Sequence, residues 1–201
     1  MASKSPRIIL LSGTPGTGKT SVAQELFSQF QYRFISAGQV VLEENLYGAE
    51  DVARDTKVVD NDKFNTFFAH KLETLSEDLI FECHYADMLD HPQISLGIIL
   101  RCHPTVLETR LKSRGYSDQK LRENGEAELL GASSSYMLEK QDLVKGNTLF
   151  EIDTTHISIL DIANCIHEII QHPSQHQELK VGKISWLSDE TIDLTRYTRT
   201  N

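Results

Sequence analysis

Eight consecutive residues near the amino end have the types and the spacing to hold a chain of phosphates. Gly13-Thr14-Pro15-Gly16-Thr17-Gly18-Lys19-Thr20 fits G-x-x-x-x-G-K-[ST] in full. Glycine at 13, 16 and 18 lets the backbone turn tightly, so that successive N–H groups face one concave anion site. A helix that starts at once behind such a turn aims its positive end at the same anion. Lys19 can then reach the β- and γ-phosphates of a nucleoside triphosphate, and the Thr20 hydroxyl can serve Mg²⁺. Ser21 adds a contact one residue on. The stretch assigned to the phosphates is thus Gly13, Pro15, Gly16, Thr17, Gly18, Lys19, Thr20 and Ser21. A plain strand-to-helix turn has no use for Lys19 and Thr20 together.

Three further sets of residues can do chemistry beside it. Glu82-Cys83-His84 closes an apolar run, Leu79-Ile80-Phe81. A carboxylate there can hold Mg²⁺ through water, as acidic residues do in phosphate-loop enzymes. His84 can orient an attacking water or a phosphate. The plain alternative for both is a solvated strand end. Arg110 and Arg114 lie four apart and share one helix face, just before Gly115-Tyr116. Two guanidiniums there can close on a transferring phosphoryl group, or they are simply exposed helix arginines. Arg101, at the end of another apolar run, is a candidate substrate contact. Phe64, Phe67 and Phe68 read as core rather than as a base-stacking platform, and no group of histidines has metal-ligand spacing.

These residues need a scaffold, and the hydrophobic pattern supplies one. Short apolar runs at Arg7–Leu11, Tyr32–Ile35, Leu79–Phe81, Ile94–Leu100 and Thr148–Ile152 read as five strands. Helical spacing occupies Lys19–Phe30, Gly38–Leu46, Asp62–Leu75, the stretch from Pro104, Asp118–Leu143 and Ile157–Ile170, with Gly125 and Gly131 weakening the fifth of these. Residues 47–62 read as a polar, acidic connection. Alternation of this kind gives an α/β fold with a five-stranded parallel sheet flanked by helices. Ligands of such sheets bind outside the carboxyl ends of the strands. Residues 12–20, 82–84 and 101–103 all fall there.

Composition narrows the partners. The chain has 201 residues, the size of a single domain, and a formal net charge of -9. That charge argues against direct sequence-specific nucleic-acid binding and suits a basic protein partner. Three widely spaced cysteines, Cys83, Cys102 and Cys165, form no disulfide framework. No apolar run reaches the ~20 residues that span a membrane, and the amino end shows no secretory pattern, so a cytoplasmic location is expected.

The chain resembles the adenylate kinase isoenzyme 6 family, a group of ribosome-biogenesis ATPases, and is nearer its archaeal branch. The resemblance covers residues 7–170. It rests on residues 9–20, on Leu100-Arg101-Cys102-His103-Pro104, on Arg110–Ser117 and on Glu123-Asn124-Gly125-Glu126-Ala127-Glu128. It implies a nucleoside-monophosphate-kinase fold with a short monophosphate-binding segment at 36–59, including Gly38, and a lid at 113–123 that brings Arg114 to ATP. A tail occupies 173–201. It implies ATP and Mg²⁺, with Thr20 and Glu82 serving the metal and Lys19, Glu82, His84 and Arg114 the reaction. It also implies AMP as acceptor, slow ATP hydrolysis, a small-subunit ribosomal protein as partner and association with pre-ribosomes, with a nuclear location added in a eukaryote. Two positions depart from the family. Glu82 stands where an aspartate is usual, and Leu42 where many members carry an arginine. Arg54 or Arg101 is the available substitute for the latter. A kinase and an ATP-driven assembly factor are the two readings this leaves.

Overall fold

The computed structural model describes residues 6–51, 56–84, 89–139 and 148–197. The first half of the chain runs β1 (Ile8–Gly13), α1 (Lys19–Phe30), β2 (Arg33–Ser36), α2 (Ala37–Glu43), β3 (Tyr47–Asp51), β4 (Thr56–Val59), α3 (Asn61–Leu72) and β5 (Leu79–Glu82). The second half adds β6 (Ile94–Arg101), α4 (Pro104–Lys112), α5 (Asp118–Leu129), α6 (Ala132–Glu139), β7 (Leu149–Asp153) and α7 (Ile159–Gln171). Short 3₁₀ turns follow in the tail.

Five strands make one parallel sheet in the order β2-β5-β1-β6-β7. The chain leaves β1 toward one edge, fills β2 and β5, then crosses back to β6 on the other side. The strand order reverses at β1, which opens a crevice at the carboxyl ends beside it. Register lines up the contributors. Leu11 and Ser36 each pair with Glu82, and Gly13 pairs with Leu100.

Alternate side chains of these strands enter two separate cores. On one face Ile9, Leu11, Ile80, Ile98 and Leu100 meet Val22, Ala23 and Leu26 of α1 and Ile162, Ile166 and Ile169 of α7. On the other, Leu10, Phe81 and Ile99 meet Phe64, Phe68 and Leu72 of α3, Val41 of α2 and Met137 of α6. Phe64 and Phe68 are buried and pack edge-on to Phe81, so the aromatic cluster belongs to the core. Strands buried on both faces read as continuous apolar runs for this reason.

Two sequence expectations need correction. The connection expected over 47–62 contains regular structure: β3 and β4 pair antiparallel as a separate two-stranded sheet, with Tyr47 opposite Val59, and residues 52–55 lie outside the described residues. Its strands are short and mostly polar, so they carry no apolar run. The single helix expected over 118–143 is two, because Gly131 takes a left-handed φ of 66° between α5 and α6. Residues 140–143 lie outside the described residues. No described helix is long and apolar enough to cross a membrane.

The tail folds back on the body. The Val181 amide donates to the Leu149 carbonyl at 3.2 Å, and Ile192 and Tyr197 are buried against Leu129. Tyr197 lies over Gly125 of α5, where a β-carbon would fall on the phenol ring. Gly125→Ala is therefore expected to destabilise the fold by about 2 kcal/mol through overpacking, lowering the melting midpoint by about 4–8 °C. Gly48→Ala, whose β-carbon would meet nothing within 4 Å, is the control and leaves the midpoint in place. Thermal unfolding followed by circular dichroism reads both.

Candidate active site

The glycine turn sits where the register places it, between β1 and the start of α1. Gly13 has a φ of 141°, and a β-carbon there would strike the Leu100 carbonyl oxygen of the neighbouring strand. Only glycine lets β1 run this close to β6 and then turn. Gly18 caps α1 in the left-handed region with a φ of 101°, so the helix begins at Lys19. The amino end of α1 and the loop N–H groups thus share one concavity.

Lys19 points back into this loop. Its Nζ donates to the Gly13 carbonyl at 2.8 Å and to the Thr14 carbonyl at 3.3 Å. Burial lowers the pKa of the ammonium, and the negative charge of Glu82 works against that shift. Thr17 closes the turn, its hydroxyl donating to the Thr14 carbonyl at 2.9 Å. Pro15 and Gly16 form the crown of the loop, and Thr20 and Ser21 are exposed in the first turn of α1.

Glu82 brings three elements together. Its Oε2 accepts from the Ser36 hydroxyl at 2.6 Å and from the Thr20 hydroxyl at 3.4 Å. The carboxylate is 6 % exposed at the end of β5, so it is a buried group of the crevice rather than a solvated strand end. A buried carboxylate flanked by two hydroxyls is a hard oxygen set, the kind Mg²⁺ takes when phosphates supply its remaining ligands. The residues therefore fit Mg²⁺. Among the described residues no group of three or more His, Cys, Asp or Glu forms a denser metal cage.

His84 turns toward the loop, with its Nδ1 3.0 Å from the Gly13 carbonyl. Nδ1 is then the protonated nitrogen and Nε2 the acceptor. Burial, reinforced by the Lys19 charge, pulls its pKa down to about 4, so the ring is neutral near pH 7. The same carbonyl thus receives the Lys19 ammonium and the imidazole.

The remaining arginines part company. Arg114 is exposed in the turn two residues past the end of α4, so it does not continue the helix face of Arg110 as the four-residue spacing suggested, and it is near enough to Lys19 for its charge to bear on the ammonium. Arg110 is half-buried, and its Nη2 donates to the carbonyls of Thr154 at 2.8 Å and Thr155 at 3.1 Å. It ties α4 to the loop after β7, and Thr154 in turn donates to the Thr17 carbonyl at 3.1 Å. Gly38 lies exposed in the first turn of α2, directly after Ser36. Leu42 on the same helix is 57 % exposed. Arg54 lies outside the described residues.

Arg101 is corrected. It is 2 % exposed, with Nε 2.7 Å from Glu128 Oε1 and Nη1 3.4 Å from Glu151 Oε2. Its guanidinium is committed to two internal carboxylates and does not face the crevice as a substrate contact. Position at the end of a strand suggested exposure, and the long-range partners that bury it are invisible in local sequence. Sequence reasoning also missed Ser36, which carries no motif, and Glu128, whose Oε2 accepts from the Thr14 hydroxyl at 2.5 Å. The extended strand Tyr32–Ile35, aligned to the third strand, was the available signal for Ser36.

A parallel sheet with a phosphate loop at its reversal point, a buried carboxylate on the adjacent strand and an arginine helix above defines a P-loop α/β protein. The profile of a family described as AAA domain matches residues 9–131. The chain is 36% identical over 190 residues to a protein of Methanosarcina barkeri named "Putative adenylate kinase", covering 90% of this chain and 97% of that one. A Methanococcus maripaludis protein of the same name is 35% identical over 187 residues, covering 90% and 96%. The chain belongs to the family that these archaeal proteins represent. A sugar kinase structure from Janibacter sp. superposes with a TM-score of 0.55 at 17% identity, over 84% of this chain and 97% of that one, which speaks to the fold.

Arg101→Met leaves two buried carboxylates without their cation, which is expected to cost about 3–5 kcal/mol. The melting midpoint falls on the order of 10 °C. Thermal unfolding followed by circular dichroism checks this, and an unchanged midpoint would mean that the guanidinium is not spent on the two internal carboxylates.

Proposed function

We propose that the protein is a nucleotide kinase that transfers the γ-phosphoryl group of ATP to AMP, giving two ADP. The observation that carries this reading is the convergence of Lys19, Thr20 and Glu82 at the carboxyl ends of adjacent strands, in a chain whose relatives bear the name quoted above.

The residues divide the work as follows. The N–H groups of Thr14, Gly16, Gly18 and Lys19 and the amino end of α1 bind the phosphate chain, and Lys19 sets its charge against the β- and γ-phosphates. The Thr20 hydroxyl and the Glu82 carboxylate, the latter steadied by Ser36, would hold Mg²⁺, which would supply positive charge to the phosphates. Residues 36–59 form the monophosphate-binding segment, with Gly38 leaving open space beside Ser36. A phosphate oxygen of AMP bonds to the γ-phosphorus as the bond from that phosphorus to the β,γ-bridging oxygen breaks, and the electron pair leaves with ADP. Arg114, in the 113–123 lid, stabilises charge on the transferring group, while Arg110 fixes the base of its helix. Neutral His84 adds an acceptor nitrogen near the reacting end without adding charge.

A second reading is ATP hydrolysis. Leu42, exposed on α2 in the segment that would receive the monophosphate, favours it, because a leucine offers a phosphate nothing. In that case His84 orients water in place of AMP, and the net charge of -9 suits a basic partner such as a small-subunit ribosomal protein.

ADP production from Mg-ATP, measured with and without AMP, separates the two. Transfer is expected to raise the rate with AMP and to release two ADP for each ATP consumed. Lys19→Ala lowers it by about a hundredfold or more, as loss of a charge stabiliser does. Slow ADP formation indifferent to AMP would remove the transferase assignment and leave the hydrolase.

A further inference from the structure

Three buried side chains do not balance: Arg101 at the end of β6, Glu128 on α5 and Glu151 within β7. Arg101 carries one positive charge, and Glu128 and Glu151 carry two negative ones, each side chain exposed by 2 % or less. A buried carboxylate must be met by donors wherever a cation does not meet it. The C-terminal tail supplies them. The amides of Lys183 and Ile184 both donate to Glu151 Oε1 at 2.6 Å. The Trp186 indole N–H donates to Glu128 Oε1 at 3.3 Å. The Ile184 carbonyl accepts from Arg101 Nη1 at 3.4 Å.

Glu128 faces two ways. Its Oε1 takes Arg101, the Cys102 amide at 3.0 Å and the Trp186 indole, while its Oε2 takes the Thr14 hydroxyl of the phosphate loop. The Thr14 carbonyl in turn receives Thr17 and the Lys19 ammonium. An unbroken chain of hydrogen bonds therefore runs from Trp186 through Glu128 and Thr14 to Lys19. Farther along the tail, Arg196 pairs with Glu108 of α4, Tyr197 covers Gly125 of α5, and Asp189 lies 3.3 Å from the His103 ring. The tail straps down the helices that frame the loop.

We infer that the C-terminal strap is a working part of the nucleotide site, with Glu128 and Trp186 as positioning residues that hold the Thr14 turn in register for Lys19. The inference rests on the nucleotide-binding half of the proposed function. A ligand that draws on the Lys19 ammonium disturbs both oxygens of Thr14, then the Glu128 carboxylate, then the indole resting on it. Trp186 is the one tryptophan of the chain, so tryptophan emission comes from this residue alone.

The experiment titrates the full-length protein with Mg-ATP by calorimetry and by intrinsic fluorescence in parallel. Binding is expected to shift the Trp186 emission with the calorimetric Kd, and Thr14→Val is expected to bind nucleotide with little emission change. Trp186→Phe keeps an aromatic ring and loses the donor. Its Kd for Mg-ATP should rise about fivefold, the worth of one hydrogen bond, with the Kd for AMP unmoved. Calorimetric binding with silent fluorescence would overturn the inference. So would a Trp186→Phe protein that melts earlier yet binds Mg-ATP as the wild type does, which is the behaviour of a purely structural strap. Absence of Mg-ATP binding by the wild-type protein would instead bring down the kinase reading, and the inference with it.

Discussion

A buried ammonium held by the carbonyl oxygens of its own loop is the constraint on which this site turns. Lys19 is 8 % exposed, and the groups that touch it are the main-chain oxygens of Gly13 and Thr14. Charge out of water is costly unless something nearby compensates. Glu82 and Glu128 provide that field from two sides without contacting it. The loop, the end of β5 and the helix α5 are therefore arranged around one cation. A triphosphate arriving there meets a positive group already stripped of water, where its attraction is strongest.

The same economy of charge shapes the far side of the loop. Arg101 neutralises one of two internal carboxylates, and the second is satisfied by amides brought from 32 and 33 residues farther along the chain. The tail is thus not ornament to the fold. Its donors let Glu128 and Glu151 stay buried, and Glu128 in turn steadies the first turn of the phosphate loop. Arg110 performs a parallel task on the other flank, binding the loop after β7 to the helix that leads into Arg114.

Division of labour among the arginines explains how one chain can be rigid at the phosphates and open at the acceptor side. Two of the three are spent inside the protein. Arg114 remains exposed in the turn after α4, and Leu42 and Gly38 leave the α2 surface without a cation among the described residues. The side that grips the triphosphate is densely bonded, and the side that would receive the acceptor is sparse.

Much of this was legible in the residues alone. The phosphate loop depends on glycines and a lysine at fixed spacing, because a tight turn and a helix start are local events. The five strands announced themselves as apolar runs, since strands covered on both faces alternate nothing. Glu82 could be placed beside the loop once both were seen to end strands. What the sequence could not carry was the pairing of charges across the fold. Arg101 looked like a crevice residue until Glu128, Glu151 and the tail closed over it. Ser36 bore no motif, and the β3–β4 hairpin had too few apolar residues to declare itself. Local chemistry is written in neighbouring residues, whereas the satisfaction of a buried charge depends on groups 27 and 50 positions away, and only the folded chain brings those together.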